Sequence, residues 1–262
     1  MNVKEPDNRS ASPSFEELRR QNLALRQEID EIKATRRSIW PMLVETTRRL
    51  QITSASVKIA VSSLLDNGIF WDNANQHEFL ETINVSIDQV SELTRLLVIA
   101  FRLEAGSLDL RRETQMMPQI LSVVQDRGTA RLSKLTWQSA FPREGNLVLV
   151  DYEYFIFALE LLSQVFDSVT SAQPVLVQAT ESAENWFMDF EGLDASMVQA
   201  VQHMGNCEAA SLVTSEHLSP DNTLRLYIAC RILCQQGITI EAQSNPAGKV
   251  LVRLRVPALF PR

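Results

Sequence analysis

Three features of the sequence predict an α+β protein. They are a heptad of apolar residues over positions 15–64, a second amphipathic stretch closing at Gly106, and an alternation of helix-like and strand-like segments after Pro118. The first two make an N-terminal coiled coil that continues into a helical hairpin. Two copies would assemble this part into a dimeric four-helix bundle. The third makes an α/β sandwich with helices on one face of a mixed sheet. The expected division is a disordered tail at 1–13, a parallel coiled coil at 14–40, a dimerisation hairpin at 41–113 and the sandwich at 114–262.

Residues 1–13 are polar and hold Pro6 and Pro13, which favours disorder. Ser14 then reads as a helix N-cap, and Glu17 completes a capping box. The heptad a positions are Phe15, Asn22, Ile29 and Arg36, and the d positions are Leu18, Leu25, Ile32 and Ile39. An Asn at an a site is costly unless it pairs with its copy across a dimer, so Asn22 favours two parallel strands in register. The same phase gives Leu43, Leu50, Val57 and Leu64 at a, with Thr46, Thr53 and Ala60 at d. Small d residues suit a wider bundle. Pro41 falls at an outer f position, where a kink leaves the seam in place. The plainer alternative is one long amphipathic helix packed on its own domain.

Asp66-Asn67-Gly68 is a turn signal. A second helix follows from about Asn73 to Leu103, with Phe79, Ile83, Val90, Leu93 and Leu97 on one stripe and Gly106 as its C-cap. Further on, 120–126 and 152–169 read as helices. Residues 131–139 and 146–150 read as strands. Residues 175–180 and 185–190 form a hairpin. A helix at 224–236, closed by Gly237, leads into a last hairpin at 238–243 and 249–256, around Asn245-Pro246-Ala247-Gly248.

The chain has 262 residues, a hydrophobic fraction of 45%, a charged fraction of 22% and a net charge of −7. These values exclude wholesale disorder and collagen-like chains. Three cysteines form no disulfide framework and suggest a reducing compartment. Apolar runs fall short of the ~18 residues that a membrane span requires, and the first ten residues have no signal-peptide core. A cytoplasmic protein with no direct membrane span is expected. The acidic balance disfavours nucleic-acid binding. The pairs Arg48, Arg49 and Arg111, Arg112 read as solvated helix faces.

The segment Phe101-Arg102-Leu103-Glu104-Ala105-Gly106-Ser107-Leu108-Asp109-Leu110 closely resembles the junction of bacterial sensor histidine kinases. There, a second hairpin helix ends in such a motif and leads into the ATP-binding domain. Leu226-Tyr227-Ile228-Ala229-Cys230-Arg231-Ile232, Gly237 and Ile240-Glu241-Ala242-Gln243-Ser244 resemble the last helix and hairpin of that family. Asp151 with its apolar helix resembles the start of the N-box helix. The resemblance covers residues 14–262 and implies a histidine-kinase-type sandwich.

The same resemblance implies lost chemistry. The family phosphorylates a histidine on the first hairpin helix, through an imidazole nitrogen that neither Arg nor Ser replaces. That position falls at Arg48, and the acidic neighbour that takes the proton falls at Arg49. His77 lies just past the hairpin turn, at the wrong end of the bundle. The family's glycine boxes let backbone approach phosphates closely. Here the first resembles Asp189-Phe190-Glu191-Gly192-Leu193, with one glycine where two are usual. Asp189 could reach an adenine amino group only if the alignment takes a gap. The second box is replaced by Asp221-Asn222-Thr223-Leu224-Arg225, and no glycine occurs between Gly205 and Gly237. In the N-box, Glu160 keeps an acidic group, Gln164 replaces the Asn that holds Mg²⁺, and Asp167 stands where a phosphate-directed Lys is common. An octahedral Mg²⁺ is sensitive to the extra methylene of Gln.

Other constellations are weaker. Cys230 and Cys234, with His203, Cys207 and His217 upstream, fit no zinc spacing and read as free thiols packed as small hydrophobes. Asp151 and Glu153 read as a helix start rather than an acid–base pair. Phe70 and Trp71 read as bundle packing ahead of a docking site. The expectation is a degenerate histidine kinase, a pseudokinase that binds no ATP or Mg²⁺ and acts as a dimeric scaffold or regulator in a two-component-type pathway. By resemblance, a response-regulator receiver domain would dock on Ser54, Ser56, Lys58, Val61 and Ser62, and another histidine kinase is a second candidate partner. Two alternatives stay open: an atypical kinase that uses ATP through Glu160, and a phosphotransfer protein that uses His77.

Overall fold

The computed structural model describes residues 15–66, 73–129, 132–137, 147–170, 174–205, 218–244 and 250–259. The expected tail at 1–13, the cap at Ser14, Asn67-Gly68 of the first turn, Phe70, Trp71, Cys207, His217 and the 245–248 turn lie outside the described residues.

Helix α1 (Phe15–Asp66) is 52 residues long and runs through Pro41 without a break. Helix α2 (Asn73–Glu104) returns along it. Gly106, at φ +61°, ends α2. The amide of Ser107 reaches Arg102 O and that of Gly106 reaches Leu103 O, the double closure of a Schellman cap.

Then come β1 (Glu113–Met116), α3 (Met117–Thr129), β2 (Leu135–Trp137), β3 (Leu147–Val150), α4 (Tyr152–Val169), β4 (Val175–Glu181) and β5 (Asn185–Leu193). Helices α5 (Ser196–Gly205) and α6 (Pro220–Gln235) and strands β6 (Thr239–Ser244) and β7 (Val250–Leu259) complete the chain. The sheet runs β1-β3-β7-β5-β4-β2, with β6 also on β7. Only β2–β4 is parallel, so the sheet is mixed as expected. Two elements were not predicted. β1 is a four-residue, largely exposed edge strand with no apolar alternation. α5 carries Met197, Ala200, Val201 and Met204 at helical spacing, all buried. The strand predicted over 131–139 shrinks to β2.

Parity sets the core. Trp186, Met188 and Phe190 of β5 and Val250, Val252, Leu254 and Val256 of β7 face the helix layer and are buried. Phe166 of α4 meets Phe190 edge-on at 4.9 Å, a geometry that contributes about 0.5–1.5 kcal/mol beyond area burial. Helices α4 and α6 lie side by side over the sheet. Leu43 of α1 and Leu96, Ala100 and Leu103 of α2 belong to the same buried cluster as Tyr227 and Ile228 of α6. The hairpin and the sandwich therefore share one core. Cys230 is buried and free, and burial pushes its thiol up to about 12. Cys234 is disulfide-bonded rather than free, so the sequence expectation of a packed thiol holds only for Cys230.

Two glycine substitutions test this packing by urea unfolding. A Cβ at Gly205 would stand 2.9 Å from the backbone oxygen of Ile240, under β6, so Gly205→Ala is expected to cost about 1–3 kcal/mol through overpacking. Gly106 has open space around it but positive φ, so Gly106→Ala is expected to cost about 1–2 kcal/mol from backbone strain alone. No change in stability for Gly205→Ala would contradict the α5–β6 contact.

Candidate functional site

The start of α6 is the first place where the sequence-predicted residues meet. Ser219 is the N-cap, with φ −61° and ψ 152°, and its side chain accepts from Asn222 N at 3.2 Å. Pro220 opens the helix, so its first turn lacks one amide donor. Thr223 returns both its amide and its hydroxyl to Ser219 O. Asn222 Nδ2 donates to Ser168 Oγ at 2.8 Å, tying the start of α6 to the end of α4. Asp221 places a carboxylate in the first turn, where the helix dipole favours an anion. The glycine-free segment thus builds a self-capped helix start.

Helix α1 reaches the same point. Arg49 Nη1 lies 2.8 Å from Asp221 Oδ2 and its Nε lies 3.5 Å from Glu45 Oε1. Arg48, which the resemblance sets at the phosphoacceptor position, is exposed and lies 3.4 Å from Glu45. A guanidinium stays protonated and has no lone pair to offer a phosphoryl group. Two further ties fix the hairpin to α6: Arg225 Nη2 stands 4.0 Å from Glu92 Oε1 of α2, and Tyr227 donates to Glu104. Burial, together with the Glu104 carboxylate, raises the Tyr227 hydroxyl above its ordinary range. Glu104 is the acid of the junction motif, so the structure gives that motif a mechanical partner.

Glu160 and Gln164 share one face of α4, four residues apart, as read from the sequence. They line a cavity of about 550 Å³ between α2, α3 and α4. Glu160 Oε1 is held 2.8 Å from Arg127 Nη1 of α3, and this hydrogen bond raises the guanidinium further above its ordinary range. No residue of β5 or α6 lines the cavity. Glu160 and Gln164 therefore line a cavity that β5 and α6 do not share, although Asn222 of α6 bonds Ser168, one turn beyond Gln164. Asp167 accepts from Lys134 N at 2.7 Å and so ties β2 to α4.

Asp189 lies elsewhere. It alternates with Trp186, Met188 and Phe190 and sits on the opposite sheet face from the helices. Its register partner Arg253 takes both carboxylate oxygens, Nε at 2.8 Å and Nη2 at 2.7 Å. Asp189 thus lies on the sheet face away from the helix layer that carries Glu160, with both carboxylate oxygens engaged by Arg253. The alternation Trp-Phe-Met-Asp-Phe carried that signal in the sequence. Asp151 is an N-cap, as expected: Oδ1 accepts from Tyr154 N and Oδ2 from Arg111 N.

Along the hairpin, Leu43, Thr46 and Ala60 are buried within the single chain, and Leu50 and Val57 are half-buried. Asn22 is exposed. The side chains of Phe15, Leu18, Leu25, Ile29, Ile32, Ile39, Leu64 and His203 lie outside the described part. A second stripe escaped the sequence reading. Val44, Ile52 and Ile59 of α1, and Leu80, Ile87, Val98 and Phe101 of α2, are exposed by 45–67%. Ser54, Ser56, Lys58, Val61 and Ser62 are all exposed on α1, and His77 is exposed near the start of α2. Among the described residues, no group of three or more His, Cys, Asp or Glu could hold a metal, and no helix is long and apolar enough to cross a membrane.

No protein-family model and no curated protein matches the chain. Solved structures do. The Acinetobacter baumannii histidine kinase AdeS superposes with a TM-score of 0.59 at 15% identity, over 81% of this chain and 98% of that one. Full-length ShkA, solved in complex with AMPPNP, gives 0.54 at 13% identity, over 85% of this chain and 46% of its own. The histidine kinase ThkA, solved in complex with the response regulator protein TrrA, gives 0.53 at 13%, over 88% of this chain and 66% of that chain. Identities this low speak to architecture alone. With its hairpin, mixed sheet and helix layer in this order, the chain has a histidine-kinase-like fold.

Proposed function

We propose that the chain is a degenerate histidine kinase, a pseudokinase that works as a dimeric scaffold or regulator in a two-component-type pathway, through protein contacts and without autophosphorylation. The observation that carries this reading is the closed start of α6. In the family that the sequence resembles, a glycine box that binds nucleotide phosphates occupies this place. Here Arg49 stands on α1, ion-paired to Asp221, above a helix start capped by Ser219 and opened by Pro220. A triphosphate would meet a carboxylate, a proline that offers no amide, and the Asn222 and Thr223 amides already bonded to Ser219.

Further support comes from the cavity beside Glu160 and Gln164, which neither β5 nor α6 lines, and from the engagement of Asp189 by Arg253. No bound ATP or Mg²⁺ is required by this reading. The divisions at 14–40, 41–113 and 114–262 are retained as working boundaries for the coiled coil, hairpin and sandwich, with a cytoplasmic location. Dimerisation is favoured by the exposed aliphatic stripes on both hairpin helices, since an apolar surface of that extent is usually covered. A response-regulator receiver domain is the first partner to test, given the exposed Ser54–Ser62 face and the ThkA–TrrA complex among the structural neighbours. Another histidine kinase is the second. The ATP-using alternative has Glu160 already paired with Arg127, and the phosphotransfer alternative has only His77, outside helix α1.

Incubation of the purified chain with γ-labelled ATP and Mg²⁺ is expected to leave it unlabelled, alongside an active histidine kinase that labels normally. A stable, acid-labile band on this chain would remove the pseudokinase reading. Light scattering at micromolar concentration is expected to give the mass of two chains. Ile59→Asp with Ile87→Asp should shift that mass to one chain, because buried carboxylates without partners oppose association. A wild-type monomer under these conditions would contradict the dimer.

A further inference from the structure

The cavity between α2, α3 and α4 has a chemistry of its own. Its floor is Ser163, whose side chain is buried and whose hydroxyl has no hydrogen-bond partner in the structure. A buried hydroxyl left unpaired costs free energy, which a ligand group can recover. Val124 and Leu132 give an apolar wall, and Gly128 allows the Trp137 ring to close within 3.1–3.3 Å of where a Cβ would stand. Its volume of about 550 Å³ lies within the range of small-molecule sites.

The charges around it balance. Arg95 and Arg127 line it together with Asp126 and Glu160. Arg127 is paired with Glu160. Arg95 has no carboxylate within ion-pair distance among the described residues, and its Cζ lies over the Phe157 ring, 4.3 Å from the centroid. Such a lining gains little from a polyanion, because two carboxylates match its two cations across the cavity as a whole. It suits a molecule that carries one charge of each sign.

We infer that this cavity binds a small zwitterion of the α-amino acid class with an apolar side chain. The ligand carboxylate meets Arg95 and the Ser163 hydroxyl. The ammonium meets Glu160 or Asp126, and the side chain lies against Val124 and Leu132. The site is separate from the start of α6 that carries the pseudokinase reading. It gives a scaffold without phosphotransfer a chemical input, placed where the hairpin helix α2 meets the sandwich.

The test is a calorimetric titration of the full chain with L-leucine and L-phenylalanine, using N-acetyl-L-leucine and L-leucinamide as analogues that each lack one charge. Saturable binding of at least one amino acid is expected, weakened at least tenfold in both analogues and in Arg95→Gln, an exposed position whose replacement leaves the core intact. Ser163→Val, checked for folding by circular dichroism, should weaken it further. Absence of saturable binding up to about 10 mM, or binding indifferent to Arg95→Gln and to the blocked analogues, would overturn the inference and leave the pseudokinase reading untouched. ATP binding that is lost in Arg95→Gln would overturn both.

Discussion

A helix can offer its first amides to a ligand only if nothing else has taken them. At α6 this constraint decides the character of the molecule. Pro220 supplies no donor, Ser219 accepts from Asn222, and Thr223 is returned to Ser219 O. Asp221 then sets a negative charge over the helix start, and Arg49 neutralises it from across the hairpin. Each choice stabilises the helix by ordinary capping, worth about 1 kcal/mol for such a residue. Together they join two parts of one chain, and on the proposed reading they do so where a nucleotide phosphate would otherwise rest.

That junction has consequences for mechanics. Arg49–Asp221, Glu92–Arg225 and Glu104–Tyr227 run along the contact between the hairpin and α6, and Leu96, Ala100 and Leu103 bury the apolar strip beside them. A rotation of the sandwich against the hairpin would have to break partly exposed ion pairs, each contributing little alone, and also to expose core residues, which costs more. The apolar contact therefore sets the stiffness, and the polar ties set the register. On the proposed reading, a signal arriving along α1 would reach the sandwich as a displacement of this joint.

The fold was legible because its signals are local and periodic. The aliphatic heptad of α1, the stripe of α2, Gly106 as a cap and the strand alternation of β5 and β7 each rest on a few neighbouring residues. The four polar residues of β1 hold no such period, and α5 was missed although Met197, Ala200, Val201 and Met204 carry one. The candidate site was harder. Glu160 and Gln164 on one face, and Asp151 as a cap, follow from spacing. Asp189 resembles the acid of a glycine box, while its own alternation puts it on the sheet face away from Trp186, Met188 and Phe190. Arg49–Asp221 joins residues 172 positions apart, and no single-sequence pattern reports such a pair. The same holds for the cavity, whose walls come from three helices and the segment after α3.

On the proposed reading, this fold no longer forms a nucleotide site. The most direct measurement is a calorimetric titration of the intact chain with a non-hydrolysable ATP analogue in Mg²⁺. No saturable heat is the expected result, and none should appear when Arg49→Ala releases Asp221. A dissociation constant in the micromolar range, with Mg²⁺ required, would contradict it.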